Sequence, residues 1–162
     1  MDLAKKLNTL ESSSIFKEWE KEHPDAYMVH FFFMTGLDVQ IGYYEESTDT
    51  ITAFNMADKI TKNPQSEVFK ENNVVDKLDL NLVKISFEEV MDKAVALQKE
   101  KYNADTPTKD IVILQMINNK AVYNITFVTQ TFKLINVRIN AEDGELISES
   151  IKPLMDLAAS VK

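Results

Sequence analysis

The run from Asp110 to Ser150, DIVILQMINNKAVYNITFVTQTFKLINVRINAEDGELISES, constrains the fold more than any other part of this chain. Its apolar residues recur in short stretches separated by Asn118-Asn119-Lys120 and Glu142-Asp143-Gly144, the residue types that close tight turns. Ile111–Ile117, Ala121–Thr129, Phe132–Asn140 and Glu145–Ile151 therefore read as four strands. In the second, Tyr123, Ile125 and Phe127 alternate with Asn124 and Thr126; in the third, Ile135, Val137 and Ile139 alternate with Asn136 and Arg138. That alternation is expected of antiparallel strands with one face covered and the other facing water.

A helix leads into this meander. Ser86-Phe87-Glu88-Glu89 has the spacing of a capping box, and Phe87, Val90, Met91, Ala94 and Leu97 follow at helical intervals toward Tyr102. The first half repeats the order more faintly. Leu3–Glu22 reads as a helix in two pieces, broken near Ser12–Ser14 and stopped by His23-Pro24. Tyr27–Met34 follows as a strand with apolar residues on both faces, which suits a central position. Strict alternation would put Tyr27, Val29, Phe31 and Phe33 on one face and Met28, His30, Phe32 and Met34 on the other. Asp38–Glu45 and Thr50–Met56 form a hairpin across Ser47-Thr48-Asp49.

Asp58–Leu82 is a polar connector. It is expected to hold a short helix beginning near Pro64, with Val68 and Phe69 inward, and an edge strand at Asp76–Leu82. The best boundary falls at its end, giving halves 1–82 and 83–162. Pro153 is expected to open a terminal helix carrying Leu154, Leu157, Ala158 and Val161. An offset of 95 residues lays the first hairpin on the last, with Val39, Tyr44 and Ile51 on Leu134, Ile139 and Leu146. The fold class is thus α+β: two repeats of a helix packed on an antiparallel meander.

Composition narrows the function. The chain has no cysteine, which removes disulfides, thiolate nucleophiles and zinc–thiolate sites and suits a reducing cytoplasm. Its formal charge of −8 disfavours nucleic acid and anionic membrane surfaces as partners. No apolar run is long enough to span a bilayer, and the start lacks a signal peptide's continuous apolar core. With glycine only at 36, 42 and 144, phosphate-cradling loops have no basis, and no cofactor is expected.

The two histidines, His23 and His30, supply no metal-ligand spacing, and Ser12–Ser14 are ordinary capping residues. What remains as site material is aromatic: Phe32, Tyr44 and Trp19, with His30 within the aromatic strand. These residues can equally form the core beneath the first helix.

The segment ISFEEVMDKAVALQKEKY, the strand VYNITFV, and KLINVRINAEDGEL with its Asn140–Glu145 turn together resemble the PepSY and PepSY-like domains. The likeness covers Ile85–Ile151, while Trp19–Met56 matches as a degenerate copy. The resemblance implies a cystatin-like fold in which a sheet wraps a helix. It also implies a binding or regulatory role, including proposed peptidase inhibition, and no catalytic residues. Many members sit outside the cytoplasm behind a leader or anchor, which this sequence does not display. The resulting expectation is a non-catalytic module with a protein or peptide partner. Two alternatives stand beside it: a small-ligand or enzymatic cone of the nuclear-transport-factor-2-like type around His30, and an acidic dimeric chaperone.

Overall fold

The computed structural model describes residues 1–67 and 75–156. Helices α1 (Leu3–Glu11) and α2 (Ser14–Glu22) precede strands β1 (Tyr27–Met34), β2 (Gln40–Glu45) and β3 (Thr50–Asn55). The short strands β4 (Thr61–Lys62) and β5 (Ser66–Glu67) follow, then a single 3-10 turn at Leu80–Leu82. The second half comprises α3 (Phe87–Lys101), β6 (Pro107–Ile117), β7 (Lys120–Thr129), β8 (Lys133–Asn140) and β9 (Leu146–Pro153). All strand pairings among the described residues are antiparallel, and they make one sheet in the order β4-β3-β2-β1-β6-β7-β8-β9, with β5 also on β3. The protein is an α+β fold.

Local chemistry sets the helix ends. Ser12 closes α1, and the Ser13 hydroxyl accepts from Phe16 N to open α2. The α3 capping box is present in both directions: Ser86 Oγ accepts from Glu89 N, and Glu89 accepts from Ser86 N. At its other end, buried Gln98 donates to the carbonyls of Tyr102 and Asp105, satisfying acceptors that a helix terminus leaves open. Asn118 and Asn119 both take left-handed φ, 49° and 64°, as a two-residue hairpin turn requires. Gly144 does the same at φ 76°.

All three helices contribute to one core. Leu10, Phe16, Trp19, Val90 and Ala94 pack with inward residues of β1, β2, β3, β6, β7 and β8. Beyond β6 the opposite face is open and polar, presenting Thr126, Asn136, Arg138, Ser148 and Ser150. Over β1–β3 it is not. There the chain from Asn63 to Glu67 and at Val75-Asp76 borders the sheet, and Tyr27 Oη donates to Val75 O at 2.8 Å. The chain then passes round the start of β1 to the helix side, where Leu78 is buried and donates its N–H to Met28 O. Tyr43 and Tyr44 lie on opposite faces, yet both are buried, because both faces of this half are covered.

Two expectations need correction, and a third holds as far as the described residues go. The region near Pro64 is extended, forming β4 and β5, because its main chain pairs with β3; Val68 and Phe69 lie outside the described residues. Asp76–Leu82 is not an edge strand: Leu78 serves as a core anchor, and Asp79 caps the 3-10 turn. The helix expected to open at Pro153 does begin there: Pro153 ends β9 opposite Lys133, and Leu154–Asp156 directly after it are helical. Leu157, Ala158 and Val161 lie outside the described residues.

Phe31 is fully buried between Ile41 of β2 and Leu114 of β6. We expect Phe31→Ala to cost about 3–5 kcal/mol in urea unfolding. A loss under 1 kcal/mol would mean that β1 is not the centre of the core.

Candidate functional site

The site lies on the sheet face opposite the helices and begins with an irregularity in β1. Met28 pairs with Tyr43, but the next pair on β2 is His30 with Gly42, so Val29 is an extra, bulged residue. The bulge resets the alternation. Met28, Phe31 and Phe33 join the helix-side core, while His30 and Phe32 face the other way. Tyr27 and Val29, expected beside Phe31, are displaced from that core, and Met28, expected beside His30, enters it. A bulge of one residue exchanges faces for everything preceding it.

Cross-strand register then builds a floor. Ala53, Gly42, His30 and Gln115 lie in one row across β3, β2, β1 and β6. Gln40, Phe32 and Ile113 form the adjacent row. The first row is unusually small at Ala53 and Gly42, and the imidazole occupies the space this leaves. A Cβ on Gly42 would sit 2.3 Å from His30 Cε1 and 2.4 Å from Nε2. Gly42 is therefore required for close approach rather than for a special φ.

Above the floor is a cavity of about 510 Å³. Val29, Phe32, Ile51, Ala53, Ile113 and Met116 supply apolar wall. His30, Gln40, Gln115 and Asn63 supply neutral polar groups, and Glu67 and Asp76 stand at the exposed rim. Among the described residues, neither His30 ring nitrogen has a hydrogen-bond partner. Withdrawal from water lowers its pKa from 6.5 to about 4, so the ring is neutral near pH 7 with one donor and one acceptor unused.

The four sequence candidates are not all brought together. His30 and Phe32 share the cavity. Tyr44 lies on their side of the sheet, paired with Tyr27 and Ile51, and its hydroxyl donates to Asp49 Oδ1 at 2.7 Å. Trp19 is on the helix side, buried against Phe16, Tyr43 and Phe54 and stacked on His23 at 4.8 Å. His23 Nδ1 in turn meets Glu45 Oε2 at 2.5 Å. Trp19 thus belongs to the core beneath α2, as expected of a large aromatic on an amphipathic helix. Sequence reasoning missed Gly42, Ala53, Gln40 and Gln115. A glycine inside an otherwise bulky strand was the available signal for Gly42.

No protein-family model matches the chain, and no curated protein matches it. Among solved structures, it is similar to a "putative lipoprotein" from Clostridium difficile 630. The identity is 11%, with 85% of this chain and 90% of that one covered, at a TM-score of 0.53. Similarity at that identity concerns the fold alone.

Two outcomes follow from the His30–Gly42 contact. Gly42→Ala should destabilise the protein by about 1–3 kcal/mol through overpacking. The same change in a His30→Ala background should cost less than 1 kcal/mol, giving a clear coupling in a double-mutant cycle. Equal costs in both backgrounds would remove the contact from consideration. The second outcome concerns pH. The unfolded imidazole takes its proton near 6.5 and the folded one near 4. Between these values the unfolded state binds the proton, so His30's contribution is full above 6.5 and is lost as pH falls toward 4. Denaturant titrations at pH 7.5 and 4.5 should show the wild type losing up to about 3 kcal/mol more than His30→Gln. Parallel losses would contradict the placement of this ring.

Proposed function

We propose that the chain is a non-catalytic binding protein that holds a small molecule in the His30 cavity. The observation supporting this most is an imidazole set in the floor of a largely apolar cavity, with no hydrogen-bond partner for its ring nitrogens among the described residues. Ligand sites are typically apolar enclosures with a few convergent polar groups. General acid–base or nucleophilic chemistry uses partnered groups, and His30 has no acid or nucleophile hydrogen-bonded to it among the described residues. Binding is the function this arrangement supports.

In the same reading, the fold is a tandem of PepSY-like units of cystatin-like architecture. Each half runs from helix to meander, and their first strands meet at the β1–β6 pairing. Outward from that seam, β2 corresponds to β7 and β3 to β8. This correspondence differs from the 95-residue offset, which lays β2 on β8. The offset matches turn chemistry, whereas sheet position matches strand order.

A protein or peptide partner is the second reading, favoured by β9. This eight-residue strand is outermost in the sheet and exposes Leu146 and Ile147. Edge strands of this kind accept an added strand through main-chain hydrogen bonds. A bulge at Ile147 and Pro153 at its end shorten the regular edge it offers.

Fragment screening by amide and imidazole NMR separates the two. Cavity binding should shift His30, Phe32 and Gln115 together and leave β9 unmoved, and His30→Phe should abolish the response. If hits instead perturb Leu146–Lys152 alone, the cavity reading is wrong and the edge reading stands.

A further inference from the structure

The chemistry of the lining narrows the ligand, if the cavity reading of the previous section is granted. A neutral imidazole does not discriminate by charge: its N–H serves an acceptor and its bare nitrogen serves a donor equally well. The side-chain amides of Gln40, Gln115 and Asn63 are equally ambivalent. Discrimination must come from the charged groups, and among the described lining residues these are Glu67 and Asp76, with no lysine or arginine. Both carboxylates are at the exposed rim, so each acts through space on whatever enters. Each attracts an entering cation and repels an entering anion, more strongly than in bulk water because the protein wall lowers the effective dielectric. The sign is the same for both. The formal charge of the whole chain, −8, adds to it.

We infer that the cavity selects small amines: an apolar body on the Phe32–Ile113–Ala53 floor and an ammonium that donates to the bare nitrogen of His30. Carboxylates of the same shape are rejected, because either ion loses hydration on entry but only the carboxylate meets two like charges at the rim. A neutral alcohol can donate to His30 and is indifferent to the rim.

Three probes of nearly one shape test this: phenethylamine, 2-phenylethanol and phenylacetate. Dissociation constants are read at pH 7 from the His30 imidazole resonances. The amine is expected to bind about tenfold or more tighter than the acid, with the alcohol as a reference that the rim does not affect. In Glu67→Gln/Asp76→Asn, both exposed positions, the amine should weaken severalfold, the acid should gain, and the alcohol should be unchanged. Phenylacetate binding at His30 as tightly as phenethylamine overturns the amine inference while leaving a small-ligand cavity in place. If none of the three moves the His30 signals, both the inference and the cavity reading fall.

Discussion

The pairing of β1 with β6 is the interaction on which the rest of the structure depends. His30 to Met34 run antiparallel to Gln115 to Ile111, and this single ladder joins strands β1–β5 to strands β6–β9 in one sheet. Remove it and each unit has an exposed inner edge, with apolar residues on both sides of β1 facing water. The cost would fall on Phe31, Phe33, Val112 and Leu114, all buried at the seam. Small separate sheets with one helical layer bury too little apolar surface to be robust. Joined, they share a core that runs from Leu10 to Ala141.

The seam also explains why the halves differ in their second layer. Beyond β6, the face opposite the helices carries Asn124, Thr126, Asn136 and Arg138, residues that tolerate water, with Asp156 of the helical residues after β9 at its border. Asn136 Nδ2 donates to Asn124 Oδ1 at 2.7 Å, a polar cross-strand pair suited to such a surface. On the other side of the seam that face carries Tyr27, Phe32, Tyr44 and Ile51, which need cover. The long connector supplies it, held by Tyr27 Oη on Val75 O and by Leu78 on Met28 O. Where the connector and the sheet are kept apart, the His30 cavity lies between them.

Much of this was legible in the residues themselves. The capping box at Ser86, the break at Ser12–Ser14, the central character of β1 and the alternation in β7 and β8 all followed from local chemistry and period. What was not legible had tertiary causes. Nothing in YMVHFFFM marks Val29 as the bulged residue, since every neighbour is also apolar; the bulge is fixed by register with β2. Pro64 and its surroundings are polar enough for a helix start, yet pairing with β3 made them extended. His30 and Phe32 were visible as aromatic strand residues, but their separation from Trp19 depends on which face each element presents. Gly42 was visible and passed over, because a glycine in a strand has several readings until its neighbour across the sheet is known.

That neighbour, His30, sets this position apart from ordinary core packing. A position on a covered sheet face, flanked by Val29 and Phe32, would be served by leucine or phenylalanine without any polar atom to satisfy. An imidazole there puts a polar ring on a covered face, where loss of hydration disfavours its charged form. It also makes the fold weaker in acid. Adjacent Gly42 compounds the cost, since glycine in a strand interior lowers stability and serves here only to admit the ring. Two neighbouring positions that both work against stability, and fit one another to within van der Waals contact, are unexpected of a surface selected only to fold. They are expected of one that must keep a neutral hydrogen-bonding group open to a cavity.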